Sequence, residues 1–348
     1  MARSVESRID DVRALIRAAR AVVDRRAALM AEMMASTGLS SAGVELAMTR
    51  HLELAPTDED LRRLVARAGD TSSAAVILSA NVFVGALRAV AIARAASSRV
   101  VVRPSRRDPT FSRALVDAAG DPAIVLDEAL DVASVEGGEL HVYGHDATIA
   151  LVRARARASV RVLGHGSGMG AAWISARADV AAAASALAED VIVFDQRGCL
   201  SPRVALVEGP AERADAFAEA LHAELARQGA LVPRGPLPAE ARAESDRYVA
   251  TMTYACRALV GCEHVVGVAP PGTPMVASPA YRHVHVTACA TEDDARAILA
   301  PLSRALVAVG SDDAEAARRL AAPWARVSAL GQMQRPPLDG PVDLRDPT

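Results

Sequence analysis

The 348-residue sequence contains no lysine, so all 39 of its basic residues are arginine. Schiff-base catalysis and the phosphate-binding loop of nucleotide hydrolases both need a lysine amine, and the sequence therefore excludes both chemistries. Aromatic residues make up only 3% of the chain, whereas 51% of it is hydrophobic. The core must therefore be built mainly from alanine, valine and leucine.

The sequence has neither a large surplus of one charge nor a long apolar run. The formal net charge is −3, and acidic and basic residues are mixed throughout, so no nucleic-acid-binding surface is expected. No run of about eighteen apolar residues occurs, which argues against a membrane span. The first residues also lack the apolar stretch of a signal peptide. We therefore expect a cytoplasmic protein.

Cysteine is scarce, and no two cysteines form a Cys-x-x-Cys pair: they are Cys199, Cys256, Cys262 and Cys289. His264 near Cys262 is too isolated to indicate zinc. His283 and His285 alternate along a predicted strand, which favours the surface of a sheet over metal ligation. We predict no metal site, and we interpret the last three cysteines as packing residues.

Cys199 differs from the other three because it lies in a polar turn that contains glycine, within Val-Ile-Val-Phe-Asp-Gln-Arg-Gly-Cys-Leu-Ser-Pro-Arg, residues 191–203. Residues 191–194 have the pattern of a buried strand, so a rigid element is expected to hold the turn. A thiol that is both exposed and fixed suits a nucleophile. Free cysteine is also commonly a small buried hydrophobe. The local sequence leaves both interpretations open.

Short apolar segments alternate with helical patterns along most of the chain. Strands are predicted at residues 74–79, 99–103, 139–143 and 160–163, with helices between them. The alternation continues beyond Gly164. This pattern predicts βαβ units and parallel, doubly wound sheets, and the length allows two such lobes.

Four loops follow predicted strands, at the end where open α/β sheets bind ligands. Asn81 closes the first loop, as either a helix N-cap or an oxyanion donor. The second is the basic turn Arg103–Asp108, which suits either a phosphate or solvent. The third carries Gly144 and His145 before a helix, where a pyrophosphate would be favoured.

The fourth loop is the glycine-rich run Leu163-Gly-His-Gly-Ser-Gly-Met-Gly. Its glycines follow a G-x-G-x-G-x-G spacing, which is not the dinucleotide-binding fingerprint. We therefore reject a Rossmann fingerprint at this point. His165 lies within the run, as either a general base or acid, since an imidazole titrates near neutrality, or a structural histidine.

Taken in chain order, these loops resemble the aldehyde dehydrogenase superfamily. Its members have an oxyanion-stabilising Asn after a strand, a basic-Pro-Ser turn, a Gly-Ser or Gly-Thr turn, a Gly-Gly hinge and a nucleophilic Cys. The corresponding residues here are Asn81, Arg103-Pro104-Ser105, Gly144, Gly164-His165-Gly166 and Cys199. Each match is weak alone, and the ordered set is specific.

Within that superfamily the chain is most similar to the acyl-CoA reductases of the LuxC type, which supply aldehyde to bacterial luciferase. The similar segments begin at Thr37-Gly-Leu-Ser, Gly43-Val-Glu-Leu-Ala, Arg103-Pro-Ser, Leu163-Gly-His-Gly, Cys199-Leu-Ser-Pro and Leu330-Gly-Gln-Met-Gln-Arg-Pro-Pro-Leu-Asp. The resemblance implies an aldehyde dehydrogenase-like α/β fold, with two doubly wound domains and the active site in the cleft between them.

The resemblance also assigns a role to each part of the chain. Residues 1–165, which include a helical amino-terminal segment, would bind the nicotinamide cofactor, and residues 166–310 would form the catalytic domain. Residues 311–348 would be a terminal helix and an extended tail that returns to the cofactor domain or to a partner subunit. The implied cofactor-binding residues are Arg103, Pro104, Ser105, Arg106, Gly144, His145, Gly164 and Gly166. Arg103, Arg106 and Arg107 suit a 2′-phosphate, which favours NADPH.

The implied reaction is reduction of an acyl-CoA, in particular a fatty acyl-CoA, to an aldehyde through a thioester on Cys199. Asn81 would stabilise the oxyanion, and His165 would deprotonate the thiol or protonate the product. Hydrolytic relatives carry a water-activating Glu in a Leu-Glu-Leu-Gly-Gly run. Here that stretch, residues 161–166, contains no carboxylate, which favours thioester reduction over aldehyde oxidation to an acid.

Two alternatives remain open from the sequence. The same chemistry would serve an acyl-phosphate or semialdehyde dehydrogenase. The chain would otherwise be a non-catalytic subunit that supports a partner such as an acyl-protein synthetase or thioesterase. The superfamily's Glu-Ile-Phe-Gly-Pro motif, which holds the nicotinamide ribose, has no clear counterpart, the nearest segment being residues 276–282. A homo-oligomer is compatible with either alternative.

Overall fold

The computed structural model describes residues 3–345, so residues 1–2 and 346–348, at the ends of the first and last expected segments, lie outside the described residues. The chain forms two compact units. The first unit extends to Ser167 and also contains Pro337–Val342, and the second unit comprises Gly168–Pro336 with Asp343–Arg345. Each unit is built on its own sheet.

Four helices open the first unit: α1 (Val5–Asp24), α2 (Arg26–Thr37), α3 (Ser41–Arg50) and α4 (Asp58–Ala68). Local sequence sets several of their ends. Thr57 and Asp60 form a capping box at the start of α4, and Gly38 ends α2 in a left-handed conformation, as expected for these residue types.

The sheet of the first unit has five parallel strands in the order β3-β2-β1-β4-β5. The strands are β1 (Ala74–Ile77), β2 (Val100–Arg103), β3 (Ile124–Leu126), β4 (Gly138–Tyr143) and β5 (Val160–His165). Helices α5 (Gly85–Ala96), α6 (Thr110–Ala119) and α7 (Asp146–Arg155) connect them. Because β2 and β4 flank β1 on opposite sides, the strand order reverses at β1, and such a reversal is where open α/β sheets bind ligands.

The tail segment Pro337–Val342 is attached to the first unit through Arg88. This side chain is buried, and it donates to the carbonyl oxygens of Pro337, at 2.8 Å, and Gly340. It also forms an ion pair with Glu53 at 2.6 Å. The five donors of a guanidinium allow one buried arginine to satisfy all three acceptors.

The sheet of the second unit has seven strands in the order β12-β11-β6-β7-β10-β9-β8. They are β6 (Met169–Ile174), β7 (Pro202–Glu208), β8 (Arg257–Val260), β9 (Val265–Ala269), β10 (His283–Cys289), β11 (Leu306–Ser311) and β12 (Arg326–Ala329). Only β8, at one edge, runs antiparallel to its neighbour. Helices α8 (Val180–Ile192), α9 (Ala211–Leu231), α10 (Ala239–Ala255), α11 (Glu292–Leu299) and α12 (Ala314–Leu320) connect the strands.

Both faces of this second sheet are covered. One core lies between the sheet and helices α8 and α9, around Leu187, Phe217 and Leu221. The other lies between the sheet and helices α11 and α12, around Trp173 and Leu299. A parallel sheet covered on both faces has near-continuous apolar strands, which is the burial pattern of β6 and β10.

Two local predictions are wrong. Residues 191–194 are not a strand, because α8 continues to Ile192 and a left-handed turn follows. A short buried apolar run looks alike in a strand and in a buried helix, and here it continues the alanine-rich helix. The glycine-rich run after Leu163 is not a single loop either, because it includes the end of β5 and the start of β6.

Candidate active site

The candidate residues of the first unit, all those predicted except Cys199, gather at the carboxyl edge of the five-stranded sheet. Ile77 of β1 pairs with Arg103 of β2 on one side and with Val142 of β4 on the other. On the far side of β4, Tyr143 pairs with His165 of β5. All four loops singled out in the sequence therefore leave this sheet at one edge.

Asn81 lies in a bend after β1, at the strand where the sheet order reverses. The N-cap interpretation does not hold, because α5 begins at Gly85 and its N-cap residue is Val84. The Asn81 side chain is half-buried, and its amide makes no hydrogen bond with another described residue. An amide with unused donors remains able to bind an oxyanion.

The arginines of the basic turn after β2 differ in their surroundings: one is bonded to the protein, and two are exposed to solvent. Arg103 donates to the Leu130 carbonyl at 3.3 Å, and Pro104 is buried. The hydroxyl of Ser105 accepts from the Arg107 amide at 3.3 Å and so shapes the turn. Arg106 and Arg107 are exposed. These two guanidinium groups are the ones available to a phosphate.

Gly144 and His145 join β4 to α7. The Gly144 amide donates to the His165 carbonyl at 3.2 Å. His145 is exposed at the N-cap position of α7, and its side chain makes no capping bond. The next residue, Asp146, is the acidic group at this helix end, and its carboxylate accepts from the Ser167 amide at 2.9 Å. An anion bound at the amino-terminal end of α7 would therefore compete with the Asp146 carboxylate for the positive end of the helix dipole.

Gly164 and Gly166 allow the end of β5 to pack closely on α7. A Cβ on Gly164 would overlap the side chain of Ile149, and one on Gly166 would overlap the carboxylate of Asp146. The close packing that the structure shows for both glycines is therefore against α7 side chains.

His165 lies in a row of stacked rings. Its ring is stacked on Tyr143 with centroids 4.2 Å apart, and its Nε2 is 3.3 Å from Nδ1 of His141. On the other side of His141, its Nε2 is 3.6 Å from the Glu139 carboxylate. Burial, with a smaller effect from His141, lowers the pKa of His165 to about 3. The expectation that His165 titrates near neutrality is therefore wrong, and its imidazole is uncharged at pH 7.

Cys199 belongs to the second unit, on the short loop of residues 197–201 before β7, and is partly exposed. Gly168 and Gly170 pack against this loop. A Cβ on Gly168 would come within 3.2 Å of the Cys199 Cβ, and one on Gly170 would overlap the carbonyl oxygen of Leu200. The missing side chains thus let β6 approach the backbone beside the thiol. Both glycines belong to the glycine-rich run after Leu163, but their spacing alone does not indicate this contact with the cysteine loop.

The other three cysteines differ from one another in burial. Cys289 is buried in β10, and desolvation raises the pKa of its thiol to about 12, so it is a packing residue as predicted. Cys256 is half-buried. Cys262 is exposed, so its interpretation as a packing residue is wrong.

His283 and His285 are not on the surface of the sheet, as predicted, but almost completely buried in β10. Burial lowers the pKa of each to about 4. Among residues 3–345, no group of three or more histidine, cysteine or acidic side chains has the arrangement of a metal site. Within the same range, no helix is both long and apolar enough to cross a bilayer.

The buried histidines predict a loss of stability in acid. His285 keeps its neutral form down to about pH 4 in the folded state, whereas an unfolded histidine binds a proton below about pH 6.5. The unfolding free energy should therefore fall as the pH drops from about 6.5 to 4, by about 1.4 kcal/mol per pH unit for such a group. Asp190 has the opposite effect on the unfolding free energy. Burial raises its pKa to about 7, so the folded state binds this proton more readily, and the contribution of Asp190 to stability rises as the pH drops.

Urea titrations at several pH values test this expectation with wild type and His285→Gln. The variant should show a slope of unfolding free energy against pH that is smaller by about one proton between pH 5 and 6.5. Equal slopes in the two proteins would contradict the assignment of His285 as a buried neutral histidine.

Comparisons with known proteins agree with the sequence resemblance. A sequence model of the family described as "Acyl-CoA reductase (LuxC)" matches residues 71–346. No curated protein sequence matches significantly. Among solved structures, the chain is similar to a NAD-dependent benzaldehyde dehydrogenase from Corynebacterium glutamicum, with a TM-score of 0.70 and 16% identity over 92% of this chain and 81% of that one.

Two further structures are similar to the same extent. An oxidoreductase from Marinobacter aquaeolei gives a TM-score of 0.71 at 15% identity, covering 97% of this chain and 80% of that one. A Mycobacterium tuberculosis aldehyde dehydrogenase complexed with NAD+ gives 0.67 at 17% identity, covering 93% and 77%. At these identities the likeness establishes the aldehyde dehydrogenase fold and does not by itself establish an activity.

Proposed function

The chain belongs to the acyl-CoA reductase (LuxC) family, and on that premise we propose that it reduces fatty acyl-CoA to aldehyde with NADPH through a thioester on Cys199. As a family member it is an oxidoreductase of acyl and aldehyde groups. The observation that carries the finer proposal is the Cys199 thiol, partly exposed on a short loop against which two glycines pack. A nucleophile needs this combination of access and fixed position.

In the proposed reaction the Cys199 thiolate attacks the acyl carbonyl carbon, and the carbon–sulfur bond to coenzyme A breaks. Coenzyme A leaves as a thiolate and takes up a proton. NADPH, when bound, supplies a hydride to the acyl carbon. The carbon–sulfur bond to Cys199 then breaks, which releases the aldehyde and restores the thiolate. Dividing the reduction between two easier steps is the purpose of covalent catalysis.

Two residues of the first unit are proposed to assist. The unused amide of Asn81 would donate to the oxyanion, and one such donor is worth about 3 kcal/mol in enzymes where it has been removed. His165 is uncharged at pH 7, and a pKa of about 3 makes its imidazole a weak base. Its proposed role is therefore to form hydrogen bonds in its neutral form rather than to transfer a proton.

The acyl-enzyme is proposed to resist water. The stretch of residues 161–166 has no carboxylate of its own. The Asp146 carboxylate, which lies beside Gly166, accepts a hydrogen bond from the Ser167 amide. Without the carboxylate that hydrolytic relatives carry in this stretch to deprotonate water, the thioester would persist until a hydride or a thiol reaches it.

The exposed guanidinium groups of Arg106 and Arg107 fit a cofactor with a 2′-phosphate, since they follow β2, next to the strand where the sheet order reverses. Arg103, Pro104 and Ser105 would shape that turn. Gly144, His145, Gly164 and Gly166 would lie beside the cofactor at the ends of β4 and β5. Charge-assisted bonds from arginine are the strong contacts available to a phosphate.

The test is NADPH oxidation with acyl-CoA substrates of several chain lengths, with the aldehyde identified by trapping. We expect turnover with long-chain acyl-CoA. Turnover with an acyl phosphate alone would instead indicate the alternative substrate class. No turnover with any substrate, in a folded protein, would favour a non-catalytic subunit that supports an acyl-protein synthetase.

Cofactor choice is tested with Arg106→Ala. Losing one phosphate contact should raise the KM for NADPH about tenfold, because a charge-assisted bond contributes roughly 1.5–3 kcal/mol. The KM for NADH, which has no 2′-phosphate, should change little. Arg157→Ala, at an exposed arginine of the same unit far along the chain from the basic turn, is the control. An equal effect of Arg106→Ala on both cofactors would contradict the proposed phosphate contact.

A further inference from the structure

The turn that leads to Cys199 has an uncommon backbone. Phe194, Asp195 and Gln196 all adopt left-handed conformations, with φ between 51° and 59°. Tyr281 and Arg282 do the same, at 69° and 71°. In residues 3–345 no other residue besides glycine has a positive φ. This conformation is unfavourable for side chains with a Cβ, so it persists only where the surroundings enforce it.

One buried ion pair joins these two left-handed segments. The Asp195 carboxylate accepts from the Arg282 guanidinium at 2.7 Å and 3.1 Å, and both side chains are at most 3% exposed. Its second oxygen accepts from the Gly235 amide at 3.0 Å. A backbone hydrogen bond also joins the two left-handed segments, because the Tyr281 amide donates to the Asp195 carbonyl at 3.2 Å.

The next residue, Gln196, closes the base of the cysteine loop. Its side-chain nitrogen donates to the carbonyl oxygens of Pro202 and His283, both at 2.7 Å. Its side-chain oxygen accepts from the His283 amide at 2.8 Å. The side chain is completely buried. Residues 197–201 therefore form a loop whose two ends are tied together, with Cys199 at its middle.

We propose that Asp195, Gln196 and Arg282 form a positioning frame, which holds the loop of residues 197–201 so that the Cys199 thiol is presented for acyl transfer. This inference rests on the proposed function of Cys199. The three residues are positioning residues, because their bonds are to one another, to the Glu263 carboxylate and to backbone groups of the second unit.

Stability alone does not account for such a frame. Replacing a buried ion pair with apolar side chains of similar volume is often neutral or stabilising, so the pair is not required to fill this part of the core. An enforced left-handed turn, by contrast, sets the direction in which the chain leaves α8. Backbone strain of this kind is commonly found where geometry serves function.

The test compares Gln196→Met and Asp195→Asn with wild type. Methionine nearly matches glutamine in volume but cannot make the three hydrogen bonds that close the loop. Asparagine keeps an acceptor for Arg282 and tolerates the left-handed conformation, but it loses the charge. Phe217→Leu, in the core between α9 and the sheet, is the control for a general loss of packing. Circular dichroism verifies that each protein is folded.

Two readouts are needed, kcat and KM with acyl-CoA and the rate at which iodoacetamide alkylates Cys199. Peptide mass spectrometry measures that rate relative to the exposed Cys262 of the same molecule. We expect Gln196→Met to lower kcat about a hundredfold, the scale of a misplaced catalytic group, with KM within about twofold. Asp195→Asn should lower kcat about tenfold, and the alkylation ratio should change in both variants. Phe217→Leu should lower only the melting temperature.

Wild-type values of kcat and of the alkylation ratio in the folded frame variants would overturn the proposal. If Gln196→Met does not fold, Asp195→Asn decides the matter by the same two readouts. The alkylation ratio is measured without substrate, so it tests the positioning frame independently of the proposed function. A changed ratio in a protein whose wild type forms no aldehyde would retain the frame and reject the proposed function.

Discussion

Replacing Cys199 with serine is expected to reduce aldehyde formation by about four orders of magnitude or more, as for other enzymes that lose their nucleophile. A thiol ionises far more readily than a hydroxyl, and the thiolate is the attacking species. A serine at this position would therefore neither attack the acyl carbonyl nor form the thioester. The measurement is kcat for NADPH oxidation with acyl-CoA, together with quantification of the aldehyde.

Cys262→Ser is the matched control for this result. Cys262 is an exposed thiol of the same unit, so the substitution makes the same chemical change at a position with no proposed role. Its kcat should stay within about twofold of wild type. If Cys199→Ser retained a tenth or more of the wild-type rate, the covalent mechanism would be refuted.

Adding one methyl group at Gly170 is the second change with a large expected effect. The new Cβ of Gly170→Ala would overlap the carbonyl oxygen of Leu200, the residue next to Cys199. Backbone cannot give way as a flexible side chain can, so the cysteine loop must move. We expect kcat to fall about a hundredfold and the unfolding free energy to fall by roughly 1–3 kcal/mol.

Gly85→Ala is the matched control, since a Cβ at this first residue of α5 meets no atom within 4 Å. Its kcat and melting temperature should equal or slightly exceed those of wild type, because alanine is the better helix former. A Gly170→Ala protein with wild-type kcat would show that the contact between β6 and the cysteine loop does not matter to the chemistry.

The overall fold could be predicted from the sequence, whereas the conformation of individual turns could not. Alternating strand and helix patterns are local signals, and they indicated parallel α/β architecture correctly. The prediction of a strand at residues 191–194 was wrong because a short apolar run has the same pattern in a strand and in a buried helix. The left-handed turn that follows is hydrogen-bonded to Arg282, which is 87 residues away from Asp195. The spacing of residues along a single sequence does not indicate such a long-range contact.

The candidate site divides in the same way. The loops after β1, β2, β4 and β5 could be predicted to share one edge because parallel strands all end at the same side of a sheet. The titration of His165 could not be predicted, since its low pKa arises from burial beside His141 and Tyr143. The structural contribution of Gly168 and Gly170 also becomes visible only when the neighbouring backbone is known.

Intact-protein mass spectrometry after mixing with a long-chain acyl-CoA, without NADPH, tests the central claim most directly. We predict a gain of one acyl group, mapped by peptide analysis to Cys199, that persists in buffer and is lost as aldehyde when NADPH is added. No adduct, an adduct on another residue, or rapid release of the free acid would contradict a water-resistant thioester on this thiol.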